Sequence, residues 1–256
     1  MITNILSFFI VIFANIIGSF SGMGGGIIIK PLVSILCHLS LPTVIFYSNL
    51  SVLVMCVTSL SYSFVKKTTH YDKTVWPIAA GSFVGGLIGT VVLSYVMQFN
   101  HDFVQDIQII VTIITIICAM FYQWKGHPVK HCWISPYRIL LLGFIMGFFS
   151  VILGIGGGPI NVWLLMMLMN FSLKQATSYS LISVVVSVSI RLCHDFLYLY
   201  TIPHEWVTMG VFMVSAFIGA IIGFFIKKRL SNTHFKTLYL STLTLVVIIN
   251  IINLFV

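Results

Sequence analysis

The chain has 256 residues, of which 59% are hydrophobic and only 7% charged, and its mean hydropathy is +1.10. A soluble domain carries about 25% charged residues, so this composition excludes one and points to lipid as the solvent. The formal charge of +8, from 13 Lys and Arg against 5 Asp and Glu, sits mostly in short loops and reports membrane orientation, not a nucleic-acid partner.

Residues 2 to 20 open the chain with an apolar run that lacks a basic n-region and a small-residue cleavage site, and it is read as retained rather than removed. Next comes a break, Gly22-Met23-Gly24-Gly25-Gly26, and a short apolar helix over 27 to 37. Long apolar runs follow at 43 to 64, 75 to 97 and 103 to 124, each near the ~20 residues that cross a hydrocarbon core. Beyond a basic linker from Lys125 to Arg138 the order repeats. There is an apolar run, a second break at Gly154-Ile155-Gly156-Gly157-Gly158, a short helix over 159 to 170, and spans at 176 to 199, 205 to 226 and 235 to 256.

The repetition extends to individual residues. A shift of 132 lays the two glycine breaks on each other, Ser40-Leu41 on Ser172-Leu173, and Tyr47-Ser48-x-x-Ser51-Val52 on Tyr179-Ser180-x-x-Ser183-Val184, without a gap. Gly85-x-x-x-Gly89 has a counterpart in Gly219-x-x-x-Gly223; these glycines and Gly81 read as helix-packing surfaces. The chain therefore divides into membrane repeats over 1–124 and 139–256, joined by the basic, cytoplasmic linker 125–138.

Loop charge sets the relation between the repeats. Lys66, Lys67 and Lys73 mark one loop as cytoplasmic, the Asn100 turn lacks Lys and Arg, and the linker is basic again. In the second half the turn at Thr201 to His204 lacks them, whereas Lys227, Lys228 and Arg229 form a basic turn. Equivalent loops thus face opposite sides. The expected fold is an all-α polytopic membrane protein of two inverted-topology repeats, each a Gly-broken helical hairpin plus three transmembrane helices. Both chain ends would face outward, in the inner membrane of the cell.

The short helices span about 16 to 18 Å at 1.5 Å per residue and cannot cross a ~30 Å core. Each hairpin must turn at membrane depth, where irregular backbone is tolerated only inside protein or along a polar cavity. Glycines suit such a turn, and they leave amide N–H groups at the start of the following half-helix. Two positive dipole ends converging near the midplane favour an anion.

Expected substrate contacts are Gly24, Gly25, Gly26, Gly156, Gly157 and Gly158, with Lys30 one turn into the first half-helix, where a charge costs at least ~2.5 to 3.5 kcal/mol. Ser48 and Asn49, with Ser51 beside them, and Ser180 and Ser183 offer polar groups on the helix that follows each hairpin. Asn161 and Asn15 flank the breaks. For Lys30 the bland alternative is snorkelling or a structural pairing; for the serines it is close packing or bonding to their own backbone. Arg191 precedes Asp195 by four residues, the spacing of a helix-face ion pair, and that reading is preferred to direct anion contact. His194 and Asp195 are an adjacent titratable pair and a candidate for proton coupling.

Cys37, Cys56, Cys118, Cys132 and Cys193 are odd in number and show no C-x-x-C, so neither a disulfide framework nor a metal site is expected. No Walker-type loop for ATP and no other cofactor motif is present. Gly18-Ser19-Phe20-Ser21-Gly22 superficially resembles a serine nucleophile turn, but Ser21 satisfies neither G-x-S-x-G nor G-x-S-G, which argues against an intramembrane hydrolase. An anion channel built on the same site is the other alternative.

Two motifs carry a family resemblance. Gly22-Met23-Gly24-Gly25-Gly26-Ile27-Ile28-Ile29-Lys30-Pro31-Leu32 and Leu153-Gly154-Ile155-Gly156-Gly157-Gly158-Pro159 resemble the sulfite exporter TauE/SafE family, and the similarity runs along essentially the whole chain. The resemblance implies a secondary transporter, a permease for small, often sulfur-containing anions such as sulfite, sulfoacetate or other organosulfur compounds, with lipid as its other partner. Two departures stand out: the second hairpin runs Pro159-Ile160-Asn161-Val162-Trp163, and the span 103 to 124 carries no acidic residue beyond Asp106. Substrate identity, transport direction, coupling ion and oligomeric state are not encoded in these motifs.

Overall fold

Uninterrupted apolar runs in a chain with few charges have one way to satisfy their backbone in lipid, which is the α-helix. The computed structural model describes residues 2–37, 41–66, 71–98, 101–125, 135–154, 156–197 and 205–255. Among the described residues it is all-helical, with ten helices and no strand. They are α1 (Ile2–Ser21), α2 (Gly26–Cys37), α3 (Leu41–Val65), α4 (Val75–Met97), α5 (His101–Lys125), α6 (Pro136–Ile152), α7 (Gly158–Met169), α8 (Leu173–Leu197), α9 (Trp206–Arg229) and α10 (Asn232–Phe255). Six of them, α3, α4, α5, α8, α9 and α10, are long and apolar enough to cross a membrane. The Asn100 turn, most of the 125–138 linker and the turn at Thr201 to His204 lie outside the described residues.

The glycine breaks end α1 and α6 sharply. Gly22 and Gly24 have φ of 69° and 75°, and Gly154, Gly156 and Gly157 have 59°, 81° and 61°, a region that costs an L-residue roughly 1–2 kcal/mol. Gly25, Gly26 and Gly158 are not in that region and answer a different need. A Cβ on Gly158 would run into the backbone of Met23, and one on Gly25 would lie 2.6 Å from Asn15 Oδ1. The two breaks therefore pack directly on each other, with Met23 fully buried between them. The half-helices α2 and α7, 12 residues each, are about 18 Å long, and Asn170, in the left-handed region at φ 54°, closes α7.

Helix packing is reciprocal between the first five and the last five helices. α1 lies along α9 as α6 lies along α4; α3 meets α9 as α8 meets α4; α10 meets α2 as α5 meets α7; and α3 meets α8 directly. Exchanging the first five helices for the second five interchanges the members of the first three pairs and maps the α3–α8 contact onto itself. Glycines permit the closest of them. A Cβ at Gly81 or Gly85 would strike the Leu140 or Phe144 carbonyl, one at Gly143 or Gly147 the Ile78 or Ser82 carbonyl, and one at Gly223 the Ile16 carbonyl. The packing role read from the Gly81, Gly85, Gly89 series and the Gly219, Gly223 pair is what these contacts show. Two tyrosines in matching positions tie the halves together: Tyr47 Oη accepts the Glu205 amide at 2.7 Å and Tyr179 Oη the Asp72 amide at 2.8 Å.

Candidate functional site

At the centre, Gly156 sits against Gly24, Val52 and Val184, so the two breaks and the middles of α3 and α8 converge. Gly24, Gly25, Gly26, Gly156, Gly157 and Gly158 are all buried. Ser180 Oγ donates to the Gly22 carbonyl at 2.7 Å, Ser183 Oγ is 2.7 Å from Ser82 Oγ, and Asn15 Nδ2 donates to Ser51 Oγ at 2.8 Å. These groups hold the crossing together. Ser48 Oγ, Asn49 Nδ2, Ser150 Oγ and both amide atoms of Asn161 are buried without a hydrogen-bond partner among the described residues. Such groups cost about 1–3 kcal/mol each when unsatisfied, which marks the crossing as a place where polar atoms are kept for a reason other than packing.

Lys30 is 8% exposed. Its Nζ donates to Gln108 Oε1 at 2.6 Å and to the Leu153 carbonyl at 3.3 Å, while Gln108 Nε2 donates to the Ile152 carbonyl at 2.6 Å. Lys30 thus lies against the C-terminal carbonyls of α6, where the helix dipole is negative, and secures the second break from the first half-helix. Arg191 and Asp195 form the expected ion pair, Nε to Oδ1 at 3.0 Å, with His194 Nδ1 at 3.6 Å from the same oxygen.

A cavity of about 300 Å³ opens between the C-terminal ends of α3 and α9 and the start of α8, at the small end of the range for ligand sites. Its lining contains Lys174, Lys227 and Lys228, the hydroxyls of Ser19, Ser59, Ser63, Ser178 and Tyr71, and among the described residues no Asp or Glu. Lys227 Nζ donates to Ser178 Oγ at 2.8 Å and Lys174 Nζ to the Leu230 carbonyl at 2.7 Å. At the floor, Ser19 Oγ is 2.8 Å from Ser59 Oγ and donates to the Ala220 carbonyl at 3.0 Å. Ser19 is one turn before Gly22, so the cavity reaches almost to the glycine crossing. Cations at the end of α9 are ordinary helix-end chemistry; what sets this wall apart is that the cations share a concave surface with hydroxyls and without a carboxylate, an arrangement complementary to an anion.

None of these pocket residues was among the expected contacts. Lys227 and Lys228 read as loop markers, Lys174 stood in no motif, and the serines are scattered over three helices with no local motif. Among the described residues no group of three His, Cys, Asp or Glu side chains is placed to hold a metal.

The whole-chain pattern decides the family. The family model for sulfite exporter TauE/SafE matches residues 7–250. The chain belongs to the sulfite exporter TauE/SafE family. It is similar to the probable membrane transporter protein YunE of Bacillus subtilis (strain 168), 25% identical over 198 residues that cover 68% of this chain and 71% of that protein. It is also similar to the probable membrane transporter protein YdhB of the same organism, 22% identical over 234 residues, 90% of this chain and 91% of that protein. With six helices fit to span, this TauE/SafE member is a multi-pass membrane transporter and not an enzyme.

Proposed function

We propose that this TauE/SafE protein is a secondary transporter that moves a small, sulfur-containing anion such as sulfite or an organosulfonate across the inner membrane. The observation that carries the reading is the carboxylate-free pocket of Lys174, Lys227 and Lys228 with five hydroxyls. Lys66 and Lys67 just after α3 and Lys227, Lys228 and Arg229 at the end of α9 support a cytoplasmic position for that pocket by the positive-inside rule. The two halves act as inverted-topology repeats, which the reciprocal helix contacts support.

In this reading the pocket is the inward-facing vestibule. The anion leaves water between Lys227 and Lys174, exchanges hydration for the hydroxyls of Ser178, Ser59 and Ser19, and then meets the glycine crossing. There the backbone of Gly24 to Gly26 and Gly156 to Gly158, with Asn49 Nδ2, the Asn161 amide and Ser48 Oγ, which have no partner among the described residues, form the deep station. Lys30 acts on that station through the α6 terminus that it holds, and Ser180 and Ser183 through the helix contacts that they fix.

Equilibrium binding of radiolabelled sulfite to detergent-purified protein tests this. Wild type binds saturably, and Lys227→Gln and Lys174→Gln each weaken binding at least tenfold. Equal binding by wild type and both variants contradicts the assignment of the pocket.

A further inference from the structure

The internal repeat gives the walls of the Lys227 pocket counterparts elsewhere in the molecule. Through the 132-residue shift that aligns α3 with α8, Ser59 corresponds to Arg191 and Ser63 to Asp195. Through the 134-residue shift that aligns Gly85 with Gly219, Lys228 corresponds to Ser94. The three counterparts are themselves together. Arg191 Nε lies 3.0 Å from Asp195 Oδ1 and 3.2 Å from Oδ2, and Arg191 NH1 donates to Ser94 Oγ at 3.0 Å. Where α3 and α9 line an open cavity with hydroxyls and cations, α8 and α4 hold a cation whose face is taken by a carboxylate of its own helix.

A buried ion pair is a weak stabiliser compared with apolar packing, since both charges lose hydration. Arg191 and Asp195 are 8% and 3% exposed, and α4 brings no charge of its own to balance them. His194 Nδ1 lies 3.6 Å from Asp195 Oδ1, and Lys30 is a further cation within electrostatic reach of Arg191. The guanidinium is the side chain best shaped for a two-oxygen anion, and Asp195 presents such a group at the place an incoming oxyanion would take. The pair lies in the last two turns of α8, away from Lys174 at its start, and in the proposed orientation that end is the outer one.

We propose that Arg191 is a second anion-binding group at the outer end of the path, and that Asp195 is a tethered surrogate anion that occupies it while the inner pocket is open. Opening of the outer side parts Arg191 from Ser94 and lets substrate replace Asp195. The proposal rests on the transporter reading above, with its two halves exposing their pockets in turn.

The test compares external and internal half-saturation for labelled sulfite in right-side-out and inside-out vesicles. Asp195→Asn lowers the external value at least fivefold, Arg191→Gln raises it at least tenfold, and Arg191→Lys, which keeps the charge should the glutamine variant fail to insert, lies between wild type and Arg191→Gln. Internal values stay within twofold of wild type. A pair with only a structural role makes Asp195→Asn and Arg191→Gln alike; shifts in the same direction, or equal shifts on both sides, overturn the proposal. A wild type that carries no sulfite removes the substrate reading alone. The sign contrast is then read without flux, as the rise in melting temperature that sulfate induces in detergent: larger than wild type in Asp195→Asn and lost in Arg191→Gln. Equal rises in all three overturn the proposal.

Discussion

Lys227 Nζ donates a 2.8 Å hydrogen bond to Ser178 Oγ, joining the end of α9 to the start of α8 across the mouth of the basic pocket. Ser178 also donates to the Lys174 carbonyl at 3.0 Å, so one hydroxyl orients one cation of the pocket and is itself fixed on the helix that carries another. In Ser178→Ala the charge of Lys227 remains but its position is released. Loss of a charge-assisted bond of this kind is worth about 1.5 kcal/mol, close to tenfold in affinity. Sulfite affinity should therefore fall about three- to tenfold in Ser178→Ala, less than in Lys227→Gln, as measured by equilibrium binding.

Glycine substitutions should separate by what a Cβ meets. At Gly85 it runs into the Phe144 carbonyl on α6 and at Gly158 into Met23 at the crossing, whereas at Gly210 it meets nothing within 4 Å. Gly85→Ala and Gly158→Ala should each destabilise by about 2–4 kcal/mol or prevent folding, as overpacking against backbone does. Gly210→Ala, in the interior of α9, should be neutral or stabilise by up to about 1 kcal/mol. Thermal unfolding in one detergent reads all three.

Lys30→Met removes the donor that meets Gln108 and the Leu153 carbonyl. It leaves two buried acceptors unsatisfied at about 1–3 kcal/mol each, so the melting temperature should drop clearly, and the double variant Lys30→Met, Gln108→Leu should recover part of the loss. A fall in transport without a fall in stability would instead return Lys30 to direct substrate contact.

The matched tyrosines give a local readout. Tyr47→Phe frees the Glu205 amide and Tyr179→Phe the Asp72 amide, each at a cost of about 1 kcal/mol. Hydrogen exchange should accelerate at residue 205 in the first variant and at residue 72 in the second, and not the reverse.

Much of the scaffold was legible because lipid leaves so few options. The spans expected at 75 to 97 and 43 to 64 appear as Val75–Met97 and Leu41–Val65, and the half-helices expected at 27 to 37 and 159 to 170 appear as Gly26–Cys37 and Gly158–Met169. The Arg191 and Asp195 pair followed from i, i+4 spacing on a single helix. The basic pocket did not, since its walls come from Ser19, Ser59, Ser178 and Lys227 on four helices, and a lysine at a helix end reads as an orientation signal until its neighbours are known. The partners of Lys30 were hidden for the same reason: Gln108 and Leu153 are 78 and 123 residues away. The 132-residue shift was the one signal that reached across the halves, and pursued along α3 and α8 it pairs Ser59 and Ser63 with Arg191 and Asp195.

The most direct test of the central claim is counterflow of labelled sulfite in proteoliposomes that hold unlabelled sulfite on the far side, with a carboxylate as control. The pocket account predicts saturable, trans-stimulated uptake in wild type, none with the carboxylate, and at least a tenfold loss in Lys227→Gln. Flux that does not saturate and is indifferent to internal sulfite, or full exchange in Lys227→Gln, would contradict it.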